Sequence, residues 1–122
     1  MKNRFLLFFL VALTLSARAQ ERPTHEIHAA MLFNFIKYVQ WPNEGEPGEF
    51  IVGVIGDQEV FNTLKKWYDG KPKGSKKYVI KNLGSASEAT DCQVVYIGKS
   101  RNKDFDTIKT STTGTSVLTV TD

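Results

Sequence analysis

The sequence predicts a layered α/β domain in which a largely parallel sheet is flanked by helices, as in Rossmann-like folds. The first observation is a pair of apolar runs, at residues 50–55 and 92–98, that do not alternate with polar residues. Strands that are buried on both faces have this pattern, and such strands are typical of parallel sheets. The second observation is that segments with helical spacing of apolar residues lie between the strand-like runs. Strands that alternate with helices indicate an α/β layer structure.

The longest predicted helix spans residues 24 to about 40. Thr24 is placed to cap its first turn, because a hydroxyl oxygen can accept a hydrogen bond from a free backbone N–H of the helix. Pro42 ends it, since proline disfavours helical geometry at the preceding residue and has no amide proton to donate. One face of the helix carries apolar side chains such as Met31 and Phe35, and the opposite face is apolar as well. We therefore expect this helix to be covered on both sides.

The remaining elements follow one another around glycine-containing turns. Asp57 follows the turn at Gly56 and is placed to cap a second helix, which Gly70 ends. The elements predicted around this helix are a loop at 43–49, strands at 50–55, 78–83, 92–98 and 117–120, a loop at 70–77, a loop or short helix at 84–89, a weak helix at 101–110 and a turn at 111–116.

The N-terminus has the order of a secretory signal peptide. Basic residues precede an apolar run at 5–15, and the small residues Ala17 and Ala19 provide a cleavage site after Ala19. The run reaches only about half of the roughly 20 residues that span a bilayer. We therefore expect a cleaved signal at residues 1–19, a single domain at residues 20–122, and a periplasmic protein without a membrane span.

Cleavage also removes the excess positive charge. The chain has 16 Lys and Arg residues against 13 Asp and Glu residues. Three of the basic residues, Lys2, Arg4 and Arg18, leave with the signal, so the mature chain is close to neutral. A neutral chain lacks the basic field of a nucleic-acid-binding protein, and we predict no nucleic acid partner.

Two local patterns resemble functional sites but lack essential parts. His25 and His28 flank a glutamate, but zinc-protease helices space their histidines by four residues and no third ligand is evident, so we predict no metal site. Gly56 and Asp57 lie at a strand-to-helix turn, where α/β folds often bind phosphate, but the carboxylate would occupy the helix amides and repel an anion. No nucleophile can be paired with a base. We therefore predict no catalytic residue, no cofactor and no enzymatic activity.

The predicted loop at 70–77 is rich in lysine. Its candidate contacts for an anionic group or an acidic partner are Lys71, Lys73, Lys76 and Lys77. The order of glycines and lysines does not match a phosphate-binding loop. The alternative interpretation is a solvated loop whose charges protect a neighbouring strand edge from aggregation.

Cys92 is the only cysteine of the chain. Because it opens an apolar strand, we expect a buried thiol. A single cysteine excludes an internal disulfide, and an intermolecular disulfide is the alternative in an oxidising compartment.

Four segments carry a recognisable pattern in this order: AAMLFNFIKYVQWP, FIVGVIGDQEVFNTL, DCQVVYIGKS and VLTVTD. Together they cover most of residues 29–122 and resemble the YfiR family of exported bacterial proteins. The most specific parts are the helix that ends in Trp41 and Pro42 and the strand and turn at residues 53–56. Family members continue with further strands and a helix, so the resemblance predicts a domain that is truncated at its C-terminus and a sheet that is incomplete.

The resemblance implies a periplasmic regulator rather than an enzyme. The best-understood member binds the periplasmic sensing domain of an inner-membrane diguanylate cyclase and holds it inactive, which links cyclic-di-GMP output to envelope conditions. We therefore expect direct contact with a membrane-embedded signalling protein, with the second apolar face of the first helix covered by absent C-terminal elements or by a second copy in a homodimer. The alternative is a periplasmic small-ligand-binding or sensor protein that uses the face near Gly56 and the loop at 70–77.

Overall fold

The structure, a computed structural model, describes residues 22–122 as a five-stranded sheet with helices on both faces. The predicted signal peptide, including Ala17 and Ala19, lies outside the described residues. The helices and strands are α1 (Thr24–Tyr38), β1 (Gly48–Ile55), α2 (Gln58–Tyr68), β2 (Pro72–Lys73), β3 (Lys76–Asn82), β4 (Val94–Ile97), α3 (Phe105–Thr112) and β5 (Leu118–Thr121). Two 3₁₀ segments, Ala86–Asp91 and Lys99–Asp104, connect the later elements.

The strands lie in the order β2-β3-β1-β4-β5. Strand β1 pairs in parallel with both β3 and β4, and β4 pairs in parallel with β5. Among residues 22–122, only the pair of β2 and β3 is antiparallel. This arrangement confirms the predicted α/β fold with a largely parallel sheet. It also places the point at which the strand order reverses between the carboxyl ends of β1 and β4, where open α/β sheets commonly bind ligands.

Successive residues of β1 supply the two hydrophobic cores, one on each face of the sheet. Phe50, Val52 and Val54 pack into the core that also contains buried residues of α1 and α2. Ile55 packs into the second core, which includes Ile108 of α3. The alternation of side chains along a strand produces this division, so α1 and α2 cover one face of the sheet and α3 covers the other.

The turn after β1 has the predicted geometry. Gly56 has a φ of 82°, a conformation that favours glycine. The carboxylate of Asp57 accepts the backbone N–H of Val60 at 3.0 Å and caps α2. The predicted turn and cap are therefore confirmed.

The predicted ends of α1 are wrong by a few residues. Thr24 is the first helical residue and does not cap the helix; the carbonyl of Pro23 accepts the N–H of Glu26 at 3.1 Å, and no side chain serves as the cap. At the other end the helix stops at Tyr38, because Val39 is already extended, with φ −101° and ψ 137°. The early exit allows Trp41 to turn back into the core.

The structure also defines three connections more closely than the sequence does. The predicted loop at 70–77 contains a short hairpin, in which β2 pairs with the start of β3 around a turn at Gly74, where φ is 60°. The stretch at 84–89, for which the sequence predicts a loop or a short helix, overlaps the 3₁₀ segment Ala86–Asp91. The predicted weak helix at 101–110 is divided between the 3₁₀ segment Lys99–Asp104 and α3.

Candidate interaction surface

Helix α1 is buried on one face only. Ala29, Leu32 and Ile36 point into the core and are at most 3% exposed. The large apolar side chains of the other face remain exposed, and we call them the apolar row: Ile27 (46%), Met31 (49%), Phe35 (45%) and Tyr38 (87%). Large apolar side chains grouped on a surface are typical of sites that bind another molecule. The expectation that this helix is covered on both sides is therefore not met within the described residues.

A groove beside the apolar row connects α1 to strand β5. A cavity of about 290 Å³ lies between Met31 and Phe35 of α1 and Val120 of β5, with Tyr96 among its lining residues. Among the described residues, β5 is hydrogen-bonded only to β4, so its other edge has unpaired backbone groups. An exposed strand edge is a site at which another chain can add a strand. The apolar row and this edge thus form one continuous candidate surface.

A group of polar side chains lies at one end of the groove, and we call it the polar cluster: His28, Asp57, Tyr96 and Asp122. The hydroxyl of Tyr96 is hydrogen-bonded to Nδ1 of His28 at 3.0 Å. On the other side of the imidazole ring, Nε2 lies 3.8 Å from Oδ1 of Asp122. Burial, and secondarily the charges of Asp122 and Asp57, raise the pKa of Tyr96 to about 12. The phenol therefore stays protonated at neutral pH and acts as a hydrogen-bonding group.

The structure separates the two histidines that the sequence places near one another. Nδ1 of His25 lies 3.3 Å from a carboxylate oxygen of Glu59 on α2. His28 belongs instead to the polar cluster. The metal pattern considered from the local sequence therefore does not form, because its two histidines face different partners.

The turn at Gly56 is closed by the segment that follows β4. The hydroxyl of Ser100 donates to the carbonyl of Gly56 at 2.8 Å. A Cβ atom on Gly56 would lie 2.7 Å from Cγ of Arg101. This close packing leaves little room for a small ligand directly at the turn, so the groove beside α1 is the better candidate for a ligand site.

The four candidate lysines, which we call the lysine hairpin, are not equivalent. Lys73 lies over aromatic rings, with Nζ 4.8 Å from the ring centre of Phe50 and 5.6 Å from that of Trp41. Its Nζ is also 3.9 Å from Glu44 Oε1. Lys73 is therefore engaged within the domain through cation–π and ionic contacts.

The remaining members of the lysine hairpin differ in exposure. Lys71 and Lys77 are exposed, whereas Lys76 is partly buried. Lys73 pairs with Lys76 across the hairpin, and Pro72 pairs with Lys77. Because adjacent residues of a strand point to opposite faces, Lys76 and Lys77 do not share a face. Whether these lysines contact a partner stays a prediction.

Cys92 has the environment expected of a structural thiol. It is 4% exposed, and its Sγ donates weakly to the carbonyl of Glu88 at 3.7 Å. Burial is the main reason why the pKa of the thiol is raised to about 11. The thiolate that disulfide formation requires is therefore scarce at neutral pH.

Comparison with known families identifies the domain. A model of the family described as YfiR/HmsC-like matches residues 25–122. The chain belongs to the YfiR/HmsC-like family. Membership confirms the resemblance drawn from the sequence and indicates a periplasmic regulator of signalling. No curated protein matches the chain.

The family assignment agrees with the part of the chain that the structure describes. The matched residues include the whole sheet and all three α-helices except the first residue of α1. Among residues 22–122, no helix has both the length and the apolar character needed to cross a bilayer.

Sequence reasoning missed the polar cluster, which brings together residues from distant parts of the chain. His28 and Tyr96 are 68 positions apart. No local motif links them, because the contact depends on how α1 packs against the sheet. The sequence contained one signal for the two carboxylates, because Asp57 and Asp122 each follow a strand-like run. The carboxyl ends of parallel strands meet at one edge of a sheet, so these two residues could be expected near one another.

Proposed function

We propose that this chain is an exported regulatory protein that controls an inner-membrane signalling protein, such as a diguanylate cyclase, by direct contact. The partner would be the periplasmic sensing domain of that protein, and it would bind over the apolar row. The observation that carries the proposal is the half-exposed apolar face of α1 next to the open edge of β5. Family membership supports the regulatory role.

The exposed area is large enough to matter for binding. Fully burying a side chain such as Met or Phe contributes about 1.5–3 kcal/mol. Met31 and Phe35 are 49% and 45% exposed in the folded chain. Covering each of them would therefore contribute roughly 1 kcal/mol. The other two members of the row and backbone pairing along β5 would add to this, which suits a specific but reversible contact.

We propose a binding protein rather than an enzyme for reasons of chemistry. The thiol of Cys92 is buried and has a raised pKa, so it is a poor nucleophile at neutral pH. The phenol of Tyr96 also has a raised pKa. The feature of the surface that best fits a function is apolar, and apolar contact supplies recognition rather than catalysis.

The proposal is tested with Phe35→Glu. A partner that covers the apolar row would have to desolvate the new carboxylate, so the dissociation constant for the partner domain should rise at least about tenfold. The matched control is Thr107→Glu, which adds the same charge at an exposed position of α3, on the opposite face of the sheet. In a strain that lacks the wild-type gene, the control should restore normal signalling output and Phe35→Glu should not.

Equal binding and equal signalling by the two variants would contradict the proposal. Circular dichroism should show that both variants are folded, since position 35 is already about half exposed at 45%. Sedimentation of the wild-type protein gives a further outcome. If the wild-type protein sediments as a monomer, the row is free for the signalling protein. A wild-type dimer that Phe35→Glu abolishes would instead assign the row to a second copy.

The cavity of the groove supports a second candidate function, that of a periplasmic small-ligand sensor. Its volume of about 290 Å³ is close to the lower end of the roughly 300–1,000 Å³ usual for ligand pockets. Met31 and Phe35 provide apolar walls, and His28 and Tyr96 provide polar groups. Native mass spectrometry of protein purified from the periplasm would support this function if it detects a bound small molecule that Phe35→Glu releases. Protein that is free of small molecules and still controls the partner would contradict it.

A further inference from the structure

We propose that His28, Asp57 and Asp122 form a binding site for a divalent transition-metal ion, with Zn²⁺ as the cation that best suits the donors. Each residue offers one ligand atom, and these atoms lie within 4.8 Å of one another. The three residues come from α1, from the turn that caps α2, and from the residue that follows β5. One imidazole and two carboxylates are donors that zinc sites commonly use.

The imidazole of His28 is oriented as a metal ligand would be. Its Nδ1 is hydrogen-bonded to the hydroxyl of Tyr96 at 3.0 Å, which leaves Nε2 directed towards Asp122, with 3.8 Å between Nε2 and Oδ1. Histidines that bind metals usually make such a bond through their other ring nitrogen, because the bond fixes the tautomer and the ring orientation. Tyr96 is itself 3% exposed, so core packing fixes the phenol that orients the ring.

The charges of the site also favour a cation. Asp57 and Asp122 both lie near His28, and among residues 22–122 neither has a Lys or Arg nitrogen within 4.0 Å. Two carboxylates that approach one another with no Lys or Arg beside them repel each other. A divalent ion between them would remove that repulsion and would neutralise both charges.

The geometry needs only small side-chain movements. Ligand atoms about 2.1 Å from a tetrahedral zinc ion are roughly 3.4 Å apart. Nε2 of His28 and Oδ1 of Asp122 are 3.8 Å apart, and all three ligand atoms lie within 4.8 Å of one another. Asp57 can both cap α2 and bind the ion, since a carboxylate has two oxygens and only Oδ1 is needed for the N–H of Val60. Three protein ligands would leave the fourth position open to water or to a group from a partner.

The position of the site gives it a structural consequence. Asp57 and Asp122 follow the carboxyl ends of the parallel strands β1 and β5, and this edge is where α/β sheets commonly hold ligands. An ion would tie α1 to β5 across the end of the groove. We therefore expect zinc to stabilise the edge strand and to raise the melting temperature.

The test is zinc binding to the mature protein without a histidine tag, measured by isothermal titration calorimetry and by thermal melting. The wild-type protein should bind one Zn²⁺ per chain and melt at a higher temperature with zinc. His28→Gln, Asp57→Asn and Asp122→Asn should each weaken binding at least about tenfold. Asparagine also caps helices well, so Asp57→Asn should keep the fold. Tyr96→Phe leaves the ligands intact and should weaken binding by about tenfold through lost orientation.

The matched control is His25→Gln, which removes the nearby histidine that contacts Glu59 instead of the polar cluster. It should bind zinc as the wild-type protein does. Two results would overturn the proposal. One is the absence of saturable binding at micromolar zinc, and the other is a loss of binding in His25→Gln that equals the loss in His28→Gln while Asp122→Asn binds normally. Tighter binding of Ca²⁺ than of Zn²⁺ would also refute the choice of ion.

Discussion

Replacing Trp41 should show how strongly the segment after α1 is fixed to the sheet. Trp41 is 7% exposed and packs edge-on against Phe50, with 4.9 Å between the ring centres. Its indole N–H donates to the carbonyl of Gln93 at 3.2 Å. The same carbonyl also accepts the N–H of Leu118 at 2.9 Å, so it keeps one partner when the indole is removed. The two substitutions, Trp41→Phe and Trp41→Ala, therefore separate the hydrogen bond from the packing.

The expected magnitudes follow from these contacts. Trp41→Phe loses a hydrogen bond whose acceptor stays satisfied, which costs about 0.5–1.5 kcal/mol, and the smaller ring adds a packing loss, for a total of about 1–2 kcal/mol. Trp41→Ala removes the whole buried side chain and should cost about 3–5 kcal/mol. For a domain of this size, 1 kcal/mol lowers the melting temperature by about 4–8 °C. The alanine variant should therefore lose a large part of its stability, since the free energy of unfolding of a whole domain is typically about 5–15 kcal/mol.

Urea unfolding followed by far-ultraviolet circular dichroism measures both free energies, because this signal does not depend on the tryptophan that is removed. Each variant should lower the midpoint without changing the slope of the transition. A cost below about 1 kcal/mol for Trp41→Ala would refute the assignment of Trp41 to the core. Equal costs for the two variants would refute the division between hydrogen bond and packing.

Three further outcomes are expected. Burial raises the pKa values of Tyr78 and Tyr96 from 10.0 to about 12, so both phenols bind their protons more tightly in the folded state. The free energy of unfolding should therefore fall as the pH rises from 10 to about 12. An unchanged melting temperature over this range would contradict the burial of these phenols. The thiol of Cys92, with a pKa of about 11, should react with a soluble disulfide reagent far more slowly in native than in urea-unfolded protein, and equal rates would contradict its burial. Glutamine at all four positions of the lysine hairpin should weaken partner binding more at low than at high ionic strength, and unchanged affinity at low salt would identify the hairpin as a solvated surface.

Local patterns were sufficient to predict the parts of the fold that depend on neighbouring residues. The central strand β1 was evident because both of its faces are buried, which requires an uninterrupted apolar run. The cap on α2 was evident because Asp57 lies directly after a glycine turn and before a segment with helical spacing. In both cases the signal lies within about ten residues, so the element can be predicted without knowledge of contacts between distant segments.

The features that were missed depend on contacts between distant segments. The hydrophobic pattern of α1 predicts apolar faces but does not reveal which of them the sheet covers, so the exposure of Phe35 could not be predicted. Lys73 was grouped with its neighbours by charge, whereas the fold places its ammonium group over Phe50 and Trp41. The contact between His28 and Tyr96 likewise requires the register of β4 and the position of α1. Sequence spacing contains no information on such contacts.

We propose the exposed face of α1 as the contact surface for a membrane-embedded signalling protein. The most direct measurement is photo-crosslinking in intact cells, with a photoreactive phenylalanine analogue at position 35 or, as the control, at position 107. We predict that position 35 crosslinks to an inner-membrane protein with a periplasmic sensing domain and that position 107, on the opposite face of the sheet, does not. Equal crosslinking of that protein at both positions, or crosslinking at position 35 only to a second copy of this chain, would contradict this role for α1.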